Sequence, residues 1–320
     1  MGFLPWHLAS AYALDLLAGD PPWLPHPTRW IGRLITRVEA VFYDDHSSPR
    51  LQRLAGCAFW LAVMAGAIIG TLFLLELCRH LNPLLGDAVS IWLAYTTLAT
   101  RSLHRESSRV VEALREGRLS VARERLAMIV GRDTGQLEEK EILRAVAETA
   151  AENVSDGIIA PLFYLAVGGP LGAIAYKTVN TMDSMVGYQN ERYAHFGWCA
   201  ARLDDLANWV PARLSGLILV GASACLKLAW RDAWQVMRRD ARKMKSPNAG
   251  YPEAAAAGAL GVQLGGINTY FGQAVSKPTL GDGKQPLTLD TYRVMIRLMY
   301  LASFLAFVMA VGVRYLVVVF

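Results

Sequence analysis

Residues 148–213 read ETAAENVSDGIIAPLFYLAVGGPLGAIAYKTVNTMDSMVGYQNERYAHFGWCAARLDDLANWVPAR. Two short apolar runs, 158–167 and 170–179, are separated here by Gly168-Gly169-Pro170 and flanked by polar groups. Proline removes a donor and glycine adds freedom, so the spacing predicts a broken or re-entrant helix in place of one straight span. If 148–156 is helical, Glu148, Glu152 and Asp156 form one acidic stripe. Lys177, Asn180, Asp183 and Ser184 make a second polar face, and Arg202, Asp204, Asp205 and Asn208 a third, just before Pro211 and Arg213. Carboxylates beside cations, with amides and hydroxyls among them, suit a divalent metal and a phosphorylated or carboxylate substrate. The plainer reading is a solvated face for Glu148 and Glu152 and an interfacial ion pair for Arg202 with Asp204 or Asp205. So many polar groups in an apolar chain favour the functional reading.

The rest of the chain supplies the membrane. Hydrophobic residues make up 53% of it and charged residues 18%, which is too apolar for a soluble chain of this length. The expected fold is an all-α polytopic membrane protein, with transmembrane and re-entrant helices and cytoplasmic amphipathic helices, in one integral-membrane domain, 1–320. Its net charge of +5 lies in loops, not in an aromatic-lined groove, so no nucleic acid partner is expected. Cys57, Cys78, Cys199 and Cys225 show no zinc or disulfide spacing. Asp15 interrupts the first apolar run, 3–18, which reads as a short or half-inserted helix that is retained, not a signal peptide.

The clearest span is 54–78, followed by a turn at 79–83 and a return at 84–100. Residues 101–147 read as a cytoplasmic amphipathic insertion, with Leu114, Leu126, Ile129 and Val130 on its buried faces. An apolar helix with small residues follows at 211–228. A cytoplasmic segment, 229–293, then carries six basic residues between Arg231 and Lys245 and a mobile loop at 271–287 that resembles a lid. The last span is 294–320, with Arg297 and Arg314 near its ends, placed to snorkel. A full crossing at 158–179 and a re-entrant one lead to different topologies; the expected arrangement faces every polar cluster to the cytoplasm. Gly172 to Thr178 lacks the glycine and the strand of a P-loop, and Asp156-Gly157 lacks the later aspartates of an alcohol-phosphotransferase signature.

Five stretches together resemble the CbiB/CobD family of cobalamin biosynthesis: GDPPWLPHPTRWIG (19–32), AENVSDGIIAPLFY (151–164), YKTVNTMDSMVGYQNERYAHFGW (176–198), ARLDDLANWVPARL (201–214) and SPNAGYPEAAAAGALGVQLGG (246–266). Gln189 and Lys245 depart from the family's pattern. The resemblance implies a multi-pass bacterial inner-membrane enzyme, adenosylcobinamide-phosphate synthase. It would join adenosylcobyric acid to (R)-1-amino-2-propanol O-phosphate, or to aminopropanol, using ATP and Mg²⁺. Fitted to these residues, Glu148, Glu152, Asp156 and Asp183 are the metal ligands expected. Asp204, Asp205 and His26 would handle protons, and Lys177 would steady developing charge. Arg29, Asn153, Lys177, Asn180, Ser184, Tyr188, Asn190, Arg192, Arg202, Asn208, Arg213, Ser246 and Asn248 would bind ATP and substrate. A homo-oligomer, or a complex with other membrane enzymes of the pathway, is compatible with this. A transporter for an anionic solute and a non-catalytic membrane sensor are the alternatives, since interrupted helices also serve transport.

Overall fold

The computed structural model describes residues 2–188, 190–270 and 272–320. Gln189, where the family pattern departs, and Phe271, first residue of the expected loop, lie outside them. In chain order the helices are α1 Pro5–Ala18, α2 Pro27–Phe42, α3 Pro49–Leu81, α4 Pro83–Tyr95, α5 Thr100–Arg115, α6 Leu119–Ala127 and α7 Glu139–Asn153. A π-helical turn, Val154–Ile159, leads into α8 Ala160–Val186, α9 Trp198–Ala207, α10 Trp209–Cys225, α11 Trp230–Asp240 and α12 Gly250–Leu260. Strands β1 Leu264–Tyr270 and β2 Gln273–Leu280 precede α13 Leu289–Val319. Three helical runs are long and apolar enough to cross a membrane: Pro49–Leu81, Glu139–Val186 and Leu289–Val319.

The chain divides into two compact units, one of Met1–Ala99, Ala160–Asn208 and Val308–Phe320, the other of Thr100–Ile159 and Trp209–Phe307. In the first unit, Pro5, Pro27, Pro49 and Pro83 each open a helix, where a missing N–H costs nothing. Ile31 and Ile35 of α2, Phe59 and Val63 of α3, Met182 of α8 and Phe196 before α9 share one buried cluster. The return helix α4 has 13 residues, about 20 Å at ~1.5 Å per residue, too short to span a bilayer alone. Helix α8 breaks where the sequence predicted: Gly169 has φ 61° and ψ −156°. Pro170 cannot donate to the carbonyl of Ala166. Arg314 of α13, expected to snorkel, instead donates to Phe3 O at 2.7 Å and lies 3.5 Å from the oxygens of Ala166 and Val167.

In the second unit, Val110, Val111 and Leu114 of α5, Leu126 of α6, and Ile142 and Val146 of α7 form the core, with Ile129 and Val130 packed against it. Helix α12 is buried along its length against α10 and α11. A Cβ on Gly258 would meet the carbonyl oxygen of Asp232 at 2.6 Å, so only glycine permits that approach.

The chain is predominantly helical, as expected, and departs from that in a hairpin. β1 and β2 pair antiparallel, Ile267 opposite Ser276 and Tyr270 opposite Gln273, so 273–280 of the expected mobile loop is a strand. Gly265 and Gly266, at φ 82° and 99°, sit at a register shift next to Leu264. Glycine is depleted in strands and marks bulges, which hid this hairpin from pattern reading.

Candidate functional site

In the second unit the acidic stripe ends sooner than its spacing predicts. Helix α7 widens into the π turn at Val154, which takes Asp156 off the i+4 row of Glu148 and Glu152. Glu148 is buried, and both its oxygens are engaged: Oε1 accepts from Gly265 N–H at 2.8 Å and Oε2 from the Arg132 guanidinium. Arg132 Nη1 also donates to Asn268 Oδ1 at 2.7 Å. Arg144 sits one helical turn before Glu148 and donates to the carbonyls of Gly265 and Ile267 and to Asn268 Oδ1. The outer edge of β1 is thereby fastened to α7 by charged side chains, which also occupies backbone groups an edge strand leaves unpaired. Asn268 is 2% exposed, and its Nδ2 has no hydrogen-bond partner among the described residues.

Glu253 of α12 joins this group. It is 4% exposed, and burial first, then the charges of Glu152 and Glu148, raise its carboxyl well above the usual range. Burial alone would lower the Lys277 ammonium of β2; Tyr270, Glu253 and Glu152 outweigh it and hold Lys277 above its ordinary value. Glu152 is exposed to solvent. A cavity of about 600 Å³ adjoins the fastened strand, lined by Lys140, Arg144, Gln263, Gly265, Thr279 and Gln285 among others. That is the size of a small-molecule site.

Arg213 lies in the same unit. Its guanidinium is sandwiched between the rings of Trp209 and Tyr251, at 4.2 and 4.5 Å, and donates to Trp209 O and to Asn248 Oδ1. Ser246 Oγ accepts from the amides of Asn248 and Ala249, which shapes the entry to α12. Asn153 donates to Thr149 O within its own helix.

The first unit holds the remaining expected residues. Asp204 accepts from Asn208 Nδ2 at 3.0 Å and from Asn180 Nδ2 at 3.4 Å, and Asn208 in turn accepts from Tyr176 OH at 2.9 Å. Burial pushes the Asp205 carboxyl up, opposed by Arg202, whose nitrogen is 3.9 Å away. Lys177 is half-buried on the same face of α8 as Asn180. Asp183 lies one turn beyond Asn180, and Ser184 spends its hydroxyl on Asn180 O. Arg192 is held by Glu39 at 2.8 Å, stacks on Tyr43 and Tyr193, and keeps its proton more firmly than usual through the Glu39 hydrogen bond. Asn190 accepts from Tyr193 N–H, and Tyr188 is exposed. His26 caps α2 through Nδ1, accepting from Thr28 N–H, and its Nε2 meets Asp20 at 3.3 Å. Arg29 binds Pro22 O. These two hold the proline-rich turn.

Pattern reading brought forward Glu148, Glu152, Arg213 and Asn248 but passed over Arg132, Arg144, Glu253, Asn268 and Lys277. One signal was there: Glu253 is the single charge in the alanine- and glycine-rich helix 250–260, and a lone carboxylate in such a run marks a use.

A magnesium ion carried by a nucleotide takes most of its oxygens from phosphate and water, and needs one or two carboxylates from the protein. Among the described residues no three His, Cys, Asp or Glu side chains are grouped to cage a metal. Glu148 is engaged elsewhere, whereas neither Glu152 nor Glu253 has a hydrogen bond or ion pair among the described residues. A nucleotide-borne cation fits that donor set.

The sequence model of a family described as CobD/Cbib protein matches residues 8–299. A cobalamin biosynthesis protein CobD from Geobacter metallireducens is 52% identical over 301 residues, covering 94% of each chain. CbiB from Salmonella choleraesuis is 46% identical over 316 residues, and CobD from Klebsiella pneumoniae 46% over 324, each covering 98% of both chains. No solved structure matches.

Proposed function

Since the chain belongs to the CobD/CbiB family, we propose that it serves cobalamin biosynthesis as a membrane-bound ATP-dependent acid–amine ligase. Its substrates are adenosylcobyric acid and (R)-1-amino-2-propanol O-phosphate, giving adenosylcobinamide phosphate, or the unphosphorylated amine, giving adenosylcobinamide. The observation that carries the reading is the buried Glu148–Arg132–Asn268 network beside Glu253, Lys277 and a cavity of about 600 Å³.

A carboxylate is a poor electrophile, so the reaction first moves the γ-phosphoryl group of ATP to the corrin side-chain carboxylate, releasing ADP. The amine then attacks the acyl phosphate carbon, and inorganic phosphate leaves as the amide forms. Magnesium, when bound with the nucleotide, neutralises phosphate charge. Glu152 is its proposed ligand; Glu148 positions β1. Lys277 and Arg213 offset negative charge on the phosphates. Arg213 is suited to it because two aromatic rings fix its plane. Glu253, whose carboxylate once ionised is a stronger base than usual, accepts the proton the amine sheds. Asn248 orients substrate. The site faces the cytoplasm of the inner membrane, where ATP is available.

The test is incubation of pure protein in detergent with adenosylcobyric acid, aminopropanol phosphate, ATP and Mg²⁺. A corrinoid heavier by the amine less one water, with one ADP per amide, is expected. The break at Gly169 favours one other reading, anion transport. Flux into sealed vesicles with no amide formed would select it.

A further inference from the structure

Helix α11 presents two unlike faces. Ala233, Val236, Met237 and Asp240 are buried, with Ala233 against Gly258 of α12 and Met237 against Gly216 of α10. At about 100° per residue, Trp230, Trp234, Arg238 and Arg231 fall within roughly 100° of arc, centred about 120° round the helix from the buried face. Trp230 is 43% and Trp234 38% exposed, and Arg231, Arg238 and the following Arg242 are exposed as well. Arg231 lies 5.4 Å from the Trp230 ring and Arg238 5.6 Å from the Trp234 ring, so each cation sits beside an aromatic surface.

Charge is sorted between the faces. Asp232 pairs with Lys284 at 2.6 Å; Asp240 pairs with Arg239 at 2.7 Å and Lys243 at 2.5 Å; Asp282 pairs with Arg239. The acids of this region are thus already paired, and among the described residues no ion pair engages Arg231, Arg238 or Arg242. At the turn before the helix Lys227 adopts φ 56°, a left-handed position where glycine is the cheap choice. A cation is kept there at a conformational cost.

We propose that this outward face is an interfacial helix that binds the anionic phospholipid headgroups of the chain's own bilayer. Tryptophan is the side chain that settles at the headgroup boundary, arginine the one that pairs with phosphate there, and the helix follows directly on the apolar α10. A soluble protein partner would cover the same face but would not need paired tryptophans and unneutralised arginines in one stripe.

The test uses the full chain in nanodiscs of phosphatidylcholine alone or mixed with phosphatidylglycerol brominated near the headgroup. Trp230 and Trp234 are two of nine tryptophans, so their signal is the wild-type quenching minus that of W230F/W234F. Quenching lost in that variant is expected. Each arginine contributes about fivefold to anionic-lipid affinity, so R231Q/R238Q/R242Q loses roughly a hundredfold in phosphatidylglycerol titrations of detergent-solubilised protein. All five side chains are exposed, and thermal midpoints in detergent stay near wild type. Equal quenching in wild type and W230F/W234F, or an unchanged anionic preference in the arginine variant, overturns the proposal; the first result is what a face covered by protein gives.

Discussion

Replacing Glu148 separates a metal ligand from a residue that holds β1 in place. Its carboxylate faces Arg132, a side chain only 6% exposed, and accepts from the Gly265 amide. In Glu148→Ala the Arg132 charge stays buried with one partner, Asn268 Oδ1, and an uncompensated buried charge costs roughly 3–5 kcal/mol. For a unit of this size each kcal/mol moves the midpoint by about 2–4 °C, so a fall on the order of 10 °C follows. Glu148→Gln keeps an acceptor for Gly265 N–H and loses only the charge, for about half that effect. In E148M/R132M both ends of the pair are gone. The double variant is expected to recover at least ~2 kcal/mol of the summed single losses, because the Arg132 charge is no longer stranded and Arg144 keeps its carbonyl and Asn268 partners. The assay is thermal unfolding of detergent-solubilised protein by intrinsic fluorescence, alongside a magnesium titration of ligation. Single variants that unfold within about 1 kcal/mol of wild type while needing far more magnesium would refute the positioning role and return Glu148 to the metal.

Glu253→Gln removes a proton acceptor without changing shape, and ligation is expected to fall by about 10²–10⁴-fold with an unchanged midpoint; activity within tenfold of wild type counts against Glu253 as the base. Asp240, held well below the ordinary carboxylate value by Arg239 first and then by Lys243 and Gly281 N–H, contributes stability that is present above about pH 4 and lost as pH falls further. Asp240→Asn is expected to lower the midpoint at pH 7, by about 1–2 kcal/mol since Arg239 and Lys243 are half exposed, and to flatten its decline between about pH 4 and 2; parallel curves for the two proteins would contradict this. Gly169→Ala places a Cβ 3.3 Å from Phe3 on a backbone of φ 61°, for a loss of about 1–2 kcal/mol in the same unfolding measurement.

What the sequence disclosed and what it hid divide along physical lines. The break at Gly169 and the long apolar α3 and α13 were legible because each is set by local backbone chemistry or by a run of apolar residues. The hairpin was not, because Gly265 and Gly266 interrupt the alternation that signals a strand and Arg144 and Glu148, far away in sequence, hold it. Arg132 was invisible for the same reason: in an arginine-rich stretch nothing local distinguishes the one guanidinium buried on a carboxylate. Spacing placed Glu148 and Glu152 on one face correctly but extended the row to Asp156, since no sequence signal announced that α7 ends in a wider turn.

The cost of that arrangement argues for its use. A buried ion pair adds little net stability, and apolar residues in place of Glu148, Arg132 and Asn268 would pack as well. Yet the network fixes a glycine strand whose backbone borders the cavity, and it leaves Asn268 Nδ2, a donor with no partner among the described residues, in a 2%-exposed side chain. An unpaired buried donor costs about 1–3 kcal/mol, which an acceptor oxygen arriving with substrate would recover. Asn268→Asp exchanges that donor for an acceptor and places a second carboxylate against Arg132 and Arg144. If the amide is a substrate contact, the KM for the nucleotide or the corrinoid rises about tenfold or more while the fold holds, since both arginines still have a partner there. A KM unchanged for every substrate would make the network a structural clamp on β1 and nothing more.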